Sequence, residues 1–171
     1  MNTLEVIHQR KSVRHFTGAP VRKEDLETLL AAAMAAPSAV NKQPWAFIAI
    51  THKEILSRLA EGLPYAKMLY QAGAAIVVCA LFDKAYDGLA EYAIIDCSAA
   101  TQNILLVAEE LGLGAVWTAA YPRSERERWV REVLSLPATA VPLCVIPIGH
   151  PTGEDKPKDK FKPENIHWER W

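Results

Sequence analysis

Residues 89–114 read LAEYAIIDCSAATQNILLVAEELGLG. The pattern predicts one helix over 89–111, the longest in the chain, with apolar residues on nearly every side. The small side chains of Ala93, Ser98, Ala99, Ala100 and Thr101 let a second helix approach closely. A helix that is apolar all round is buried on several sides, so it is expected at the centre of the core and, in part, at a subunit interface. Gly112-Leu113-Gly114 ends it as a C-cap. These glycines resemble half of a dinucleotide fingerprint, but they follow a helix and precede a strand, the reverse of the order that motif needs. Asp96, Gln102 and Asn103 interrupt the apolar surface. A buried polar group must be hydrogen-bonded, so structural ties to neighbouring backbone or across a dimer are the favoured reading.

Outward from this helix, residues 3–9 predict a short amphipathic helix, with Leu4, Val6 and Ile7 against Glu5 and Gln9. Lys23 to Ala36 carries Leu26, Leu29, Leu30 and Ala33 at helical spacing, and Pro37 stops it. Trp45 to Thr51 reads as a strand, after which Thr51 and Glu54 form a capping-box pattern opening a helix to about Gly62. A helical turn at Ala66–Gln71 leads to a fully apolar strand at Ala74–Leu81. Beyond the long helix come a short strand at Ala115–Ala119 and a helix capped by Ser124 with Glu127 and reaching about Leu134. Val141–Ile148 is the last apolar strand, and Pro142 and Pro147 predict irregular backbone beside it. After Gly149 the segment is too rich in proline and charge to fold alone, yet it ends in His167-Trp168-Glu169-Arg170-Trp171. We expect residues 151–171 to form an arm that packs on another surface, a second subunit being the natural one. No repeat or interdomain linker is visible, so residues 1–171 are expected to form a single domain.

Half of the residues are hydrophobic, 23% are charged and the formal net charge is −1. No global field favours nucleic acid or an anionic membrane. Apolar runs such as Ala72–Phe82 are too short to span a bilayer. The opening Met1-Asn2-Thr3-Leu4-Glu5 lacks the basic and apolar regions of a signal peptide, so a cytoplasmic location is expected. Cys79, Cys97 and Cys144 sit far apart among apolar residues and read as reduced core thiols. The five histidines show no ligand spacing, and no metal site is expected.

Two short stretches carry chemistry. Arg10-Lys11-Ser12-Val13-Arg14 offers two guanidinium forks and a hydroxyl, which suits a phosphate dianion. Taken alone it also reads as a solvated basic patch or a phosphorylation site. Pro37-Ser38-Ala39-Val40-Asn41-Lys42-Gln43-Pro44-Trp45 packs amides and hydroxyls at one strand end, which suits a polar heterocycle and its sugar. Its plain alternative is a helix-stop turn with an Asx motif. Together the stretches point to a nucleotide-like cofactor. The chain carries no Walker A loop, H-E-x-x-H or G-x-S-x-G.

The order of these motifs resembles the flavin-dependent nitroreductase family, specifically its compact members, along essentially the whole chain. The resemblance rests on R-x-S-x-R at 10–14, P-S-x-x-N-x-Q-P-W at 37–45, and D-x5-Q-N-x2-L from Asp96, ending in L-G-L-G. It continues through Ala115-Val116-Trp117-Thr118 and Ile148-Gly149-His150-Pro151 to Lys158-x-Lys160. It implies an α+β fold with a central, mostly antiparallel sheet flanked by helices, built as an intertwined homodimer with exchanged C-terminal arms. It implies FMN at the dimer interface, with Arg10, Lys11, Ser12 and Arg14 from one subunit and Lys158 and Lys160 adding phosphate contacts. Pro37, Ser38, Ala39 and Asn41 would come from the other, with the backbone of Ala119 and Ala120 near flavin N5. Lys67 matches a ring-contacting lysine of larger members, and Lys160 stands where many members have arginine. The implied activity is ping-pong transfer of hydride from NADH or NADPH, through the flavin, to nitroaromatic, quinone or similar small acceptors. No side-chain nucleophile is needed, and broad acceptor tolerance is expected. Two other readings stay open: a flavin protein of this fold with a non-reductase task (flavin fragmentation or dehalogenation), and a non-enzymatic dimeric module.

Overall fold

Of the first two strands, β1 (Trp45–Ile50) and β2 (Ala74–Ala80), the second has all seven residues buried. A strand achieves that only with a packed layer on each face. Alternation sorts its side chains: Ala74, Ile76, Val78 and Ala80 enter one core, and Ala75, Val77 and Cys79 enter another on the opposite face. Each fully buried Ile or Val contributes roughly 1.5–3 kcal/mol of transfer free energy.

A computed structural model describes residues 1–171. It shows an α+β fold in three layers. The five-stranded sheet runs β1-β2-β5-β3, where β3 is Gly114–Ala115 and β5 is Val141–Gly149; β4 (Thr118–Ala119) also pairs with β5. Every strand pairing is antiparallel. On one face lie α2 (Lys23–Met34) and α4 (Ala90–Glu110), with Leu26, Leu29, Ala93, Cys97 and Ile104 in the shared core. On the other lie α3 (Lys53–Gly62) and α5 (Ser124–Leu134), with Leu56, Leu59 and Val130. The short α1 (Thr3–Gln9) rests on α4.

The long helix forms as expected, and a Schellman motif ends it. Gly112 adopts φ +71°, its N–H bonds the Glu109 carbonyl, and the Leu113 N–H bonds the Ala108 carbonyl. Its polar residues tie the helix to its surroundings: the Asn103 amide donates to the Ala32 carbonyl at 2.9 Å, and Asp96 accepts from the Ala39 N–H. Its burial is one-sided, however. Leu89, Tyr92 and Ile95 remain exposed on the face away from the sheet.

Several local expectations are corrected. The capping boxes at Thr51/Glu54 and Ser124/Glu127 do not form, because α3 begins one residue later, and α5 one residue earlier, than those boxes require. His52 and Arg123 occupy the N-cap positions without side-chain bonds. The box that forms is Asn2/Glu5 at α1, with Asn2 Oδ1 accepting from the Glu5 N–H and the Glu5 carboxylate accepting from the Asn2 N–H. The single strand expected at 115–119 is two short ones separated by Val116-Trp117.

β5 is continuous through both prolines. The register shift between Val78 and Cys79 absorbs Pro142, which pairs with Cys79 while Cys144 pairs with Val78. The Pro147 carbonyl accepts from Val116, so the missing Pro147 N–H faces the gap between β3 and β4 and breaks no strand-to-strand bond.

Residues 12–17 run along the free edge of this sheet. The Val13 N–H bonds the Ala115 carbonyl, and the Thr17 N–H bonds the His150 carbonyl, each at 3.0 Å. Gly114 and Gly149 pair across the strands at this point. A Cβ on Gly114 would sit 2.5 Å from Val13 Cγ1, and one on Gly149 would sit 2.9 Å from Phe16 Cδ1. Gly114→Ala is therefore expected to overpack this contact at a cost of about 1–3 kcal/mol, lowering Tm by several degrees. Thermal melts followed by circular dichroism check this, and an unchanged Tm would reject the tight approach.

Candidate functional site

Arg10 caps α1 in extended backbone, so the chain leaves the helix and carries Ser12 to a bridge with Ala115. Asp155 fixes the following residues. Its Oδ2 accepts from the Arg14 N–H at 2.9 Å and the His15 N–H at 3.2 Å, and lies 3.1 Å from His15 Nδ1. Desolvation acts to raise the Asp155 pKa, but these bonds outweigh it and hold the carboxyl below its usual value. The 152–156 loop is thereby stapled against the 10–15 segment, and the lysines that follow it are brought beside the arginines.

Between them lies a polar cavity of about 510 Å³. Arg10, Lys11, Arg14, Lys156, Lys158 and Lys160 line it, against only Glu154 and Asp155. Three of the six cations already make hydrogen bonds, Lys11 to Glu109 at 2.8 Å, Lys156 to the Gly153 carbonyl, and Arg14 through one Nη1 donor to the Ser12 carbonyl at 3.4 Å. Arg10, Lys158 and Lys160 also face a neighbouring cavity of about 620 Å³, bordered by His8 and Gln102. Nothing in the charge of the whole chain announces this concentration.

A third cavity, of about 520 Å³, adjoins the first through Arg14, which lines both. Its other walls are more apolar and aromatic: Pro64, Tyr65, Met68, Val116 and Trp117, with Lys67, Thr118, Ala119 and Arg126. Lys67 contributes its stem, while its ammonium donates to the Ala60 and Glu61 carbonyls at 2.6 and 3.1 Å and caps α3. Ala119 pairs with Cys144. Because the Ala120 N–H already bonds the Leu143 carbonyl at 3.0 Å, Ala119 occupies a non-hydrogen-bonded position, and its N–H and carbonyl point away from β5. Ala120 itself is fully buried beneath.

Sequence reasoning did not single out Tyr65, Met68 or Arg126. Arg126 stacks its guanidinium 5.2 Å from the centre of the Tyr65 ring and donates from Nη1 to the Ala119 carbonyl at 3.3 Å. Its Nε–H is buried without a partner, a state that costs about 1–3 kcal/mol. In sequence it is one more charge on a solvated helix face.

The 37–45 turn lines none of these three cavities within one chain. It is wound tightly, with Val40, Asn41 and Gln43 all at φ between +51° and +55°, and such backbone costs of order 1–3 kcal/mol per residue. Internal bonds hold it. Ser38 Oγ accepts from the Gln43 N–H at 2.9 Å, and the Gln43 amide donates to Asn41 Oδ1 at 3.1 Å. The Asp96 carboxylate accepts from the Ala39 N–H at 3.1 and 3.2 Å and pins the turn to α4. Pro37, Ser38, Ala39 and Asn41 thus form a rigid, presented unit apart from the cationic cluster.

This arrangement suits an anion at one end and a flat ring at the other. Burial pushes the Cys79 thiol up to about 11 and those of Cys97 and Cys144 up to about 12, so none is a thiolate nucleophile near neutral pH. No cluster of three or more His, Cys, Asp or Glu is placed to hold a metal ion.

Comparison with known proteins agrees with this geometry. A profile of the nitroreductase family matches residues 7–63 and 60–150. A protein of Methanothermobacter thermautotrophicus, provisionally named an NADH dehydrogenase/NAD(P)H nitroreductase, is 41% identical over 171 residues, covering 100% of this chain and 88% of its own. A crystal structure from Parabacteroides distasonis with the same provisional name is 47% identical, covers 100% of both chains and superposes with a TM-score of 0.93. The structure of an FMN-dependent nitroreductase from Clostridium difficile is 29% identical, with 98% of this chain and 99% of that one covered and a TM-score of 0.89.

Asp96→Ala is expected to remove the charge-assisted bond that pins the strained turn, at about 1.5–3 kcal/mol and a Tm loss of several degrees. Amide hydrogen exchange at Ala39 should accelerate in parallel. Unchanged protection at Ala39 would show that the turn holds itself.

Proposed function

The chain belongs to the nitroreductase family and is an NAD(P)H-dependent oxidoreductase, and from that premise we propose that it uses FMN to reduce nitroaromatic, quinone or similar small acceptors. The observation that carries this reading is the pair of cavities joined at Arg14, one rich in cations and the other walled by Tyr65, Trp117 and Met68. FMN has the same polarity along its length, a phosphate dianion at one end and a flat heterocycle at the other. The residues fit it: Arg10, Arg14, Lys158 and Lys160 for the phosphate, with the Ser12 hydroxyl beside them. When bound, FMN supplies the hydride chemistry between the nicotinamide donor and the acceptor.

The chain's own part is orientation and charge. Arg14 stands where the polar and apolar cavities meet, so its guanidinium stabilises negative charge at the ring's polar edge. The outward Ala119 N–H supplies a backbone donor at the cavity wall. Lys160 holds phosphate as a point charge, where an arginine would make a fork.

We also place the 37–45 turn of a partner subunit over this site, in a homodimer with exchanged C-terminal arms. Supporting this, Phe161, Trp168 and Trp171 are 73%, 82% and 100% exposed in the single chain, as are Leu89, Tyr92 and Ile95 in lesser degree. Light scattering on the purified protein is expected to give twice the chain mass, and a monomer would overturn the arrangement. The reduced, buried thiols suit a cytoplasmic setting.

The deciding experiment is an absorption spectrum of protein reconstituted with FMN and washed, then mixed anaerobically with NADH or NADPH. Retained flavin bands that bleach with either donor are expected. Flavin that is retained but never bleached would reject the reductase. Arg14→Ala is expected to weaken FMN binding roughly ten- to hundredfold, the scale of a charge-assisted hydrogen bond of about 1.5–3 kcal/mol, and to lower the flavin potential. An unchanged potential would remove Arg14 from that role.

A further inference from the structure

One cation of the ring-side cavity has no part in holding FMN as described above. Lys67 caps α3, and Arg14 stands at the junction with the phosphate cluster. Arg126, on the first turn of α5, has neither duty. Its planar face rests on Tyr65, one Nη1–H reaches the Ala119 carbonyl, and its Nε–H is buried without a partner. With one Nη1 donor in use and the Nε–H buried, the remaining Nη donors leave a bidentate edge for a carboxylate or phosphate. No Asp or Glu lines this cavity to neutralise it.

We infer that Arg126 is a specificity-determining residue that anchors an oxyanion on the molecule exchanging electrons in this cavity. The inference rests on the proposed function and deepens it by stating the substrate chemistry. Arg126 contacts the carbonyl of Ala119, the residue whose N–H also points out from the sheet edge, so the oxyanion is held beside the ring end and not in the Arg10 cluster. Two molecules bring such a group: an acceptor bearing a carboxylate, and the nicotinamide donor with its pyrophosphate. Tyr65 keeps the guanidinium flat and preorganised, which confers selectivity for a planar, bidentate anion over a neutral amide of the same shape.

The test uses full-length, FMN-reconstituted protein and its Arg126→Gln and Arg126→Lys variants, with Tm recorded for each. Benzoate and benzamide are first titrated by calorimetry, which needs no turnover. Wild type is expected to prefer benzoate by about tenfold or more; Arg126→Gln should abolish that preference and Arg126→Lys should retain part of it. In turnover, the ratio of kcat/KM for 4-nitrobenzoate over 4-nitrobenzamide should collapse in Arg126→Gln if the anion belongs to the acceptor. A rise in the apparent Kd for NADH in the reductive half-reaction instead assigns it to the donor. A wild type without benzoate preference, or a preference unaltered in Arg126→Gln, overturns the inference. If the wild-type protein retains no flavin or is not reduced, the reductase reading fails, while the calorimetric titration on the same chain still decides the anion site.

Discussion

Burial of the central sheet on both faces is the constraint from which the rest of this molecule follows. β2 has no exposed residue, and in β5 only the first residue, Val141, is partly exposed. A sheet closed in this way offers ligand chemistry no face. What remains is its edge, where β3 and β4 give only two residues each and the chain 12–17 lies alongside. Arg14, Trp117 and Ala119 meet at that edge. The short, broken strands therefore have a positive use: they leave backbone groups at Ala119 that a longer ladder would have consumed.

The cationic cluster is built by convergence from opposite ends of the chain. Residues 10–14 follow the first helix, and residues 156–160 follow the last strand. Like charges gathered this closely repel one another, and the repulsion is greatest before an anion arrives. Asp155 offsets part of it from within, since it bonds the backbone of Arg14 and His15 and adds a negative charge to the wall. Glu109 does the same for Lys11. The charges left available to a phosphate are those of Arg10, Lys158 and Lys160, together with Arg14, which spends one donor on the Ser12 carbonyl.

The molecule also stores rigidity at two places far apart in sequence. Gly114 and Gly149 permit the edge segment to touch the sheet without an intervening Cβ, so Ser12 and Arg14 are set by packing and not by a flexible loop. On the other side of the molecule, Asp96 and Ser38 hold three non-glycine residues in left-handed backbone. Strain of that kind persists only where surrounding bonds over-determine it.

Periodicity alone determined most of the elements. β2 was legible because double-sided burial demands unbroken apolar sequence, α4 because its largely apolar pattern runs over 21 residues, and α2 because its leucines repeat at helical spacing. The two motifs at 10–14 and 37–45 stand out in the sequence because few chemistries need so many forks, amides and hydroxyls in so few residues. Their resemblance to one family carried the fold class beyond what periodicity reaches. Cap assignments failed at Thr51 and Ser124, where a shift of one residue decides whether a hydroxyl reaches an N–H. The continuity of β5 through Pro147 was hidden because it depends on a gap in the neighbouring strands. Arg126, Tyr65 and the capping role of Lys67 were hidden because they too depend on neighbours in other elements. Sequence records what a side chain can do, whereas its neighbours across α3, β4 and α5, which decide what it does, are set only when the two cores close.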